Sequence, residues 1–237
     1  MRDHFGEDEI IKTKDITAFY RQFEEDVKKT TINWRVYELV QKGILQRIGR
    51  GTFKLGKENH FVPEISSQMK STYRKVKREF PYLNLCLWNT SVLNEFMVHQ
   101  PYQFFSLVEV DNEATDSVFH FLKEHRSAVY LEPNEEVLEN YLTADKNACI
   151  VQPLVSEAPV LNVNGVTSAP LEKILVDVFC DSVTFSAFQG VERSTIFKAA
   201  FDKYTVNRNK LLRYADRRGK KEDIKTYLES LKILAVK

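Results

Sequence analysis

The chain has 237 residues, of which 43% are hydrophobic and 28% charged, and its formal net charge at pH 7 is +1. This length suits one large domain or two modest ones, and the composition predicts a globular protein with a sizeable core. A net charge so near zero argues against a protein that coats nucleic acid or another polyanion nonspecifically. No apolar run approaches the roughly 20 residues that a membrane span needs.

Two amphipathic helices are predicted first. Apolar residues recur at helical spacing in Ile16, Phe19, Tyr20, Phe23 and Val27, which predicts a helix with one buried stripe. The second predicted helix has its stripe at Ile32, Val36, Leu39 and Val40. Thr30 and Thr31 are its expected N-terminal caps, and Lys42 followed by Gly43 marks its end.

A small hairpin is predicted directly after these helices. Two short extended runs, residues 44–50 and 52–55, are separated by Gly49 and Gly51. Two helices followed at once by such a hairpin predict a winged helix-turn-helix, which we place in residues 1–60. Residues 61–80 are predicted to be a linker and a basic helix from Met69 to Phe80, which Pro81 ends.

The remaining residues, 81–237, alternate between strand and helix patterns. Strands are predicted at residues 82–88, 103–110, 127–133 and 148–155, with helices at 92–99, 115–125 and 134–142. A turn at Asn164-Gly165 and helices at 171–181, 192–204, 207–219 and 221–231 follow. The predicted fold class is therefore α+β or α/β: a winged helix, then a mixed-sheet α/β domain with a helical C-terminal end.

The predicted winged helix coincides with an island of positive charge. Residues 28–57 contain eight basic residues and a single acidic one, Glu38. Winged helices place the second helix in the major groove of double-stranded DNA and the hairpin near phosphates. The predicted DNA-binding residues are Lys28, Lys29, Thr31, Asn33, Arg35, Lys42, Arg47, Arg50 and Lys54.

Within that set, Asn33 is suited to reading adenine, and Arg35 to guanine or phosphate. Glu38 is expected on the same helix face as these two. Trp34, Tyr37 and Phe53 are expected to complete the core instead. Two other interpretations of the island stay open, since exposed basic residues are often only solubilising and a winged helix can serve protein binding or dimerisation.

No catalytic residue, metal site or cofactor is predicted. His120 and His125 are five apart and do not share a helix face, and no phosphate-binding glycine loop occurs. Glu172 and Asp177 are expected to be a cap carboxylate and a salt-bridge partner. Residues 109–145 contain ten acidic and two basic residues. The part from Glu109 to Glu139 is expected to be mostly a solvated face, with a partner surface for a basic protein as the alternative.

The cysteines are Cys86, Cys149 and Cys180, far apart and each in an apolar run. This spacing favours buried, reduced thiols over disulfides or a zinc site. Together with an N-terminus that has no apolar run of signal-peptide length, it predicts a cytoplasmic location.

Three stretches resemble the AbiEi-type abortive-infection antitoxins. The first is INWRVYELVQKGILQRIGRGTFKLG, with its Gly-Ile/Leu step at the end of the helix and its Arg-x-Gly-x-aromatic wing. The second is APLEKILVDVF, which is similar to the family's Pro-x-Lys-Ala-Leu-x-Asp helix through Pro170, Lys173, Leu175 and Asp177, with Ile174 where the family usually has Ala. The third and weaker is LLRYADRRGKKEDIKTYLE, similar to the family's helical tail.

This resemblance implies a transcriptional regulator that is the antitoxin of a type IV toxin-antitoxin pair. Its partners would be operator DNA, bound at inverted repeats upstream of its own gene, and a nucleotidyltransferase toxin that it need not touch. Winged helices often dimerise on DNA, although the sequence identifies no dimer interface. Two alternatives remain: a nuclease-like or otherwise catalytic α/β domain that the winged helix positions on DNA, and a protein-binding adaptor.

Overall fold

The computed structural model describes residues 4–6, 9–56, 59–98, 104–138 and 148–233. These residues form helices and three small sheets, a mixed α+β structure as the sequence predicts. The predicted helices at 92–99 and 134–142 and the predicted strand at 103–110 fall partly outside the described residues.

Residues 9–56, here called the N-terminal unit, have a core of their own. The elements are β1 (Ile11–Lys12), α1 (Thr13–Arg21), α2 (Lys29–Gln41), β2 (Leu45–Gly49) and β3 (Thr52–Leu55). The three strands form an antiparallel sheet in the order β1-β3-β2, in which Ile11 pairs with Phe53 and Leu45 with Leu55. Ile16, Ile32 and Val36 of the two helices pack on these strand residues and bury them.

The two helices and the hairpin agree with the prediction, and three details do not. Helix α2 begins at Lys29, so Thr30 and Thr31 lie inside its first turn and cap nothing; the N-cap position is Lys28, whose side chain makes no capping bond. Helix α1 ends at Arg21, which leaves Phe23 outside the buried stripe and 76% exposed. Strand β1 is too short for an alternation pattern to reveal it.

A four-stranded sheet is the centre of the rest of the chain. Its elements are α3 (Ser67–Glu79), β4 (Leu85–Asn89), β5 (Ser106–Val110), α4 (Thr115–His125), β6 (Val129–Leu131), α5 (Glu135–Val137) and β7 (Cys149–Pro153). The strand order is β4-β5-β7-β6, with β4 antiparallel to β5 and the other pairs parallel. The sheet is mixed, as predicted.

A hairpin and four helices complete the chain. The hairpin is β8 (Leu161–Val163) and β9 (Val166–Ser168), and its turn is the predicted Asn164-Gly165, both residues having positive φ. The helices are α6 (Leu171–Cys180), α7 (Val191–Lys203), α8 (Arg208–Arg217) and α9 (Lys221–Ser230). Each lies within two residues of its predicted bounds.

Helices cover both faces of the four-stranded sheet. Met69 and Val76 of α3 pack with Val118 and Leu122 of α4 against one face, while α6 to α9 cover the other. Residues 85–88 are consequently all buried, where the sequence suggests simple alternation. Helix α3 is therefore part of the layer that covers the sheet. The segment predicted as a helix at 92–99 is a 3₁₀ helix, Thr90–Phe96, capped by the Asn89 side chain, which accepts from the Ser91 N–H.

The N-terminal unit meets the second part of the chain at the loop before α8. The Gln46 amide of β2 donates to the Val206 carbonyl at 3.5 Å. Just beyond the unit, the Asn59 carbonyl accepts from the Thr205 N–H at 3.1 Å. Gly43 has a φ of +66°, and a Cβ there would lie 2.3 Å from the His60 ring. Only glycine fits this close approach without strain.

Candidate nucleic-acid interface

The outward face of α2 carries two large aromatic side chains. Ile32, Val36 and Val40 point into the core of the N-terminal unit, and Trp34, two residues from both Ile32 and Val36, points away from it. Trp34 and Tyr37 are 62% and 58% exposed. The prediction that they complete the core is wrong, whereas Phe53, also predicted to pack, is 1% exposed.

Asn33 and Arg35 lie on opposite flanks of α2 rather than together. Arg35 is directed at the end of α1 and the loop that follows it: its guanidinium lies 4.9 Å from the Tyr20 ring centre and donates to the Glu24 carboxylate at 2.8 Å. Asn33 is exposed on the other flank. The expectation of one shared polar face for Asn33, Arg35 and Glu38 is therefore wrong, because side chains two residues apart on a helix diverge.

Two exposed lysines lie at the N-terminal end of α2. Lys28 and Lys29 are exposed, and neither has an ion pair within the described ranges. Thr31 is half-buried beside them. The unpaired backbone N–H groups of a helix start carry partial positive charge, which adds to that of the lysines. This end of the helix is suited to contact with phosphate.

The basic residues of the hairpin lie in different places: at the turn and on the two faces of the sheet. Arg50 is exposed at the turn, and the part of the chain that the structure describes offers it no carboxylate. The Arg47 guanidinium lies 5.3 Å from the centre of the Phe53 ring and remains exposed. Lys54 is on the other face of the sheet, in a cleft that Lys198 and Arg208 also line. Lys54 therefore does not lie beside Arg47.

Lys42, the last of the predicted DNA-binding residues, follows α2. Its ammonium lies 3.4 Å from the Glu38 carboxylate, while its side chain is still 66% exposed. An exposed pair of this kind contributes little to stability, so Lys42 can leave Glu38 and contact a phosphate with little loss of free energy.

A second concentration of charged groups is buried between the sheet and α6. The Lys173 ammonium, fully buried, donates to both Glu109 carboxylate oxygens at 2.6 and 2.7 Å and to Asp177 Oδ2 at 2.6 Å. Glu109 is on β5, and Lys173 and Asp177 are one turn apart on α6. We call these three residues the Lys173 cluster. Glu109 was expected on a solvated acidic face, which is wrong, whereas Asp177 is the salt-bridge partner that was predicted.

Further donors complete the hydrogen bonding of the two carboxylates. Glu109 accepts from the Trp88 indole at 3.0 Å and from Gln152 at 3.3 Å, and Asp177 accepts from the Tyr214 hydroxyl at 2.7 Å. Burial by itself lowers the pKa of Lys173, but Asp177 and Glu109 raise it well above its ordinary value, so the ammonium stays charged. Burial, followed by the charge of Asp177, raises the pKa of the Tyr214 hydroxyl.

This closed arrangement holds elements together and offers no open position to a substrate. Strands β4, β5 and β7 and helices α6 and α8 all contribute a side chain to it. Glu172, the expected cap carboxylate, lies nearby on α6 and accepts from the Asn207 N–H at the start of α8. The sequence did signal a buried pair, because Lys173 and Asp177 stand four apart in an apolar helix; it gave no sign of Glu109.

The free thiols of Cys86 and Cys149 are buried and that of Cys180 is half-buried. Burial raises the pKa of Cys149 to about 11. In the described ranges, no three His, Cys, Asp or Glu side chains come together as a group that could hold a metal ion. None of the described helices has the length and apolar character needed to cross a membrane.

Comparison with protein families gives one result. The model of the DUF6577 family, a family of unknown function, matches residues 31–233, so the chain belongs to that family. The match extends from the first turn of α2 through α9. No curated protein matches the chain.

The Lys173 cluster predicts a specific loss of stability. Lys173→Met leaves two buried carboxylates without a cation, and removal of one partner of a buried pair costs about 3–5 kcal/mol. We expect the free energy of unfolding, measured by urea denaturation at pH 7, to fall by about that amount.

The matched control is Lys203→Met. Lys203 contacts Glu95 at 2.9 Å, but both side chains are exposed, so this variant should unfold close to the wild type. Equal urea midpoints for the Lys173→Met variant and the wild type would show that the cluster does not hold the fold together.

Proposed function

We propose that this DUF6577 protein is a DNA-binding transcriptional regulator whose N-terminal unit works as a winged helix-turn-helix. One observation carries the proposal. The outward face of α2 is free of the core, and basic groups that no carboxylate of the described residues contacts lie at its start and at the hairpin turn.

The order of elements supports the proposal first. A short strand, two helices and a hairpin follow one another, and the strand pairs with the hairpin in the order β1-β3-β2. In this arrangement α1 buttresses α2, which is the position of a recognition helix. The hairpin β2-β3 is then the wing, with Arg50 at its tip.

Electrostatics supports it second. Lys28, Lys29 and Arg50 are exposed and carry charges that no described carboxylate neutralises. Nothing within the N-terminal unit requires these charges, whereas phosphate contacts usually dominate the affinity of proteins for DNA. We assign Lys28, Lys29 and Arg50 to phosphates.

The remaining side chains of α2 and the hairpin have different proposed roles in DNA binding. Asn33, Trp34 and Tyr37 are exposed, so they can reach base edges or sugars in the major groove. Arg35 is held by Glu24, and we assign it to joining α1 and α2 rather than to base reading. Lys42 and Arg47 remain available for phosphates at the edge of the unit.

The resemblance to AbiEi-type antitoxins extends the proposal to an operon. On that basis the protein would repress its own gene from inverted repeats and would counteract a nucleotidyltransferase toxin without needing to touch it. Two of the residues that carry the resemblance, Lys173 and Asp177, belong to the buried cluster. Their role in this chain is structural, which is consistent with a motif that preserves a fold rather than a reaction.

DNA binding can be tested with labelled duplex from the region upstream of the gene. We expect fluorescence anisotropy to show binding whose logarithmic affinity falls linearly with the logarithm of salt concentration, by about 0.9 per neutralised phosphate. Replacement of Lys28, Lys29 and Arg50 by Ala should weaken binding and reduce the slope by up to about 2.7.

Lys225→Ala is the control, because that lysine already has a carboxylate partner in Glu222 on the same helix. No binding by the wild type at about 50 mM salt would overturn the proposal. Cleavage of plasmid in the presence of Mg²⁺ would favour the nuclease-like alternative instead.

The exposure of Trp34 provides an independent optical test. The chain has two tryptophans, and Trp88 is buried with its indole bonded to Glu109. Saturating upstream duplex should therefore change the emission of Trp34 alone. Trp34→Phe should abolish the emission change and retain the fold, since the site is exposed. A change that persists in this variant would place the DNA away from α2.

The antitoxin role predicts an effect on growth. If a nucleotidyltransferase gene lies beside this gene, its induction alone should arrest bacterial growth, and co-expression of the wild-type protein should restore it. A variant with Lys28, Lys29 and Arg50 replaced by Ala should still restore growth when supplied from a separate promoter. Growth arrest that the wild-type protein does not relieve would exclude the antitoxin role.

A further inference from the structure

Helix α3 carries a row of basic side chains along its outer face. Met69, Thr72 and Val76 face the sheet and are buried. The opposite side of the helix is lined by Ser67, Lys70, Ser71, Arg74, Lys75 and Arg78. These six residues, here called the α3 face, follow helical spacing from the first turn to the last.

No carboxylate of the described residues neutralises the charges of the α3 face. Lys70, Arg74, Lys75 and Arg78 have no ion pair among the described residues. The helix contains one acidic residue, Glu79, at its end. Lys77, in contrast, has a structural task, since its ammonium donates to the Pro81 and Leu83 carbonyls beyond the helix.

Basic residues elsewhere in the chain show how differently such charges can be arranged. On α8 and α9 and between them, each of four basic residues contacts a carboxylate: Arg217 with Glu157, Lys220 with Asp223, Lys221 with Asp216, and Lys225 with Glu222. On the α3 face, Lys70 and Arg74 are four residues apart, as are Arg74 and Arg78, so like charges repel. The fold gains nothing from that repulsion, which points to an anionic ligand.

The length of the α3 face indicates which kind of anion it binds. Lys70 and Arg78 are eight residues apart, about 12 Å along the helix axis at 1.5 Å per residue. This row suits an extended ligand with repeated negative charges, and the hydroxyls of Ser67 and Ser71 can donate between the cations. A membrane surface fits less well, because the apolar side of α3 is buried against the sheet and cannot enter lipid.

We propose that the α3 face is a second surface for the phosphate backbone of double-stranded DNA, apart from the surface on α2 and the hairpin. This inference rests on the proposed DNA binding and deepens it. Contacts to phosphate carry no direct sequence information. The α3 face therefore adds affinity on any duplex, and discrimination between sequences stays with α2.

The test replaces four cations and keeps the helix. A variant with Lys70→Gln, Arg74→Gln, Lys75→Gln and Arg78→Gln retains helix-forming residues on an exposed face, so its thermal unfolding should match the wild type. We expect it to bind both upstream duplex and a random-sequence duplex at least tenfold more weakly. Its salt slope should fall by up to about 3.6, and the ratio of the two affinities should stay unchanged.

A charge-matched control carries Arg217→Gln, Lys220→Gln, Lys221→Gln and Lys225→Gln, which alter the net charge equally but remove cations that already have partners. This control should bind much more tightly than the α3 variant. Equal weakening of both would show that only overall charge matters and would overturn the inference.

The outcomes separate this inference from the proposed function. If the Lys28, Lys29 and Arg50 variant binds weakly and the α3 variant binds as the wild type does, the α3 face is not a DNA surface and the proposed function stands. If the wild type binds no duplex, both fail. If the α3 variant loses binding to phosphatidylserine vesicles but not to duplex, the ligand is a lipid surface and the inference is wrong.

Discussion

A lysine fully buried between two carboxylates is the interaction on which the larger part of this structure depends. Lys173 joins α6 to β5 through Glu109, and Asp177 extends the connection to α8 through Tyr214. Unpaired charges at this depth would cost several kcal/mol each, about the whole stability of many domains. The cluster thereby fixes how α6 and α8 dock on β5, since separating its members would leave a buried charge unpaired.

The N-terminal unit obeys a different constraint. Among the described residues its core contains no buried ion pair and consists of apolar residues from the two helices and three strands, together with Phe5 and Val27. The Gln46 hydrogen bond to Val206 and the close approach of Gly43 to Thr205 connect it to the loop before α8. These contacts leave the outer surface of α2 exposed to solvent. The division suits a protein in which one part presents a binding surface and the other supports it.

The sequence predicted the regular elements well because periodicity reports which side of an element is apolar. The hairpin β2-β3, helices α4 and α6, the Asn164-Gly165 turn and the mixed sheet all agree. Helix faces were predicted less well. Trp34 and Tyr37 were assigned to the core because aromatics beside an apolar stripe often pack there, yet their angular position on α2 directs them outward. Asn33 and Arg35 were grouped by sequence proximity, although a separation of two residues places them on opposite flanks.

By itself, the sequence determined the kinds of element, their order and the local excess of positive charge, because each depends on residues within one segment. The tertiary structure alone decided which charges find partners. Glu109 meets Lys173 from 64 residues away, Arg35 turns to Glu24, and Lys54 enters a cleft with Lys198 and Arg208, while the cations of α3 and of the start of α2 stay open to solvent. Whether two charged side chains form an ion pair depends on their distance in the folded protein, and the number of residues between them in the sequence does not give that distance.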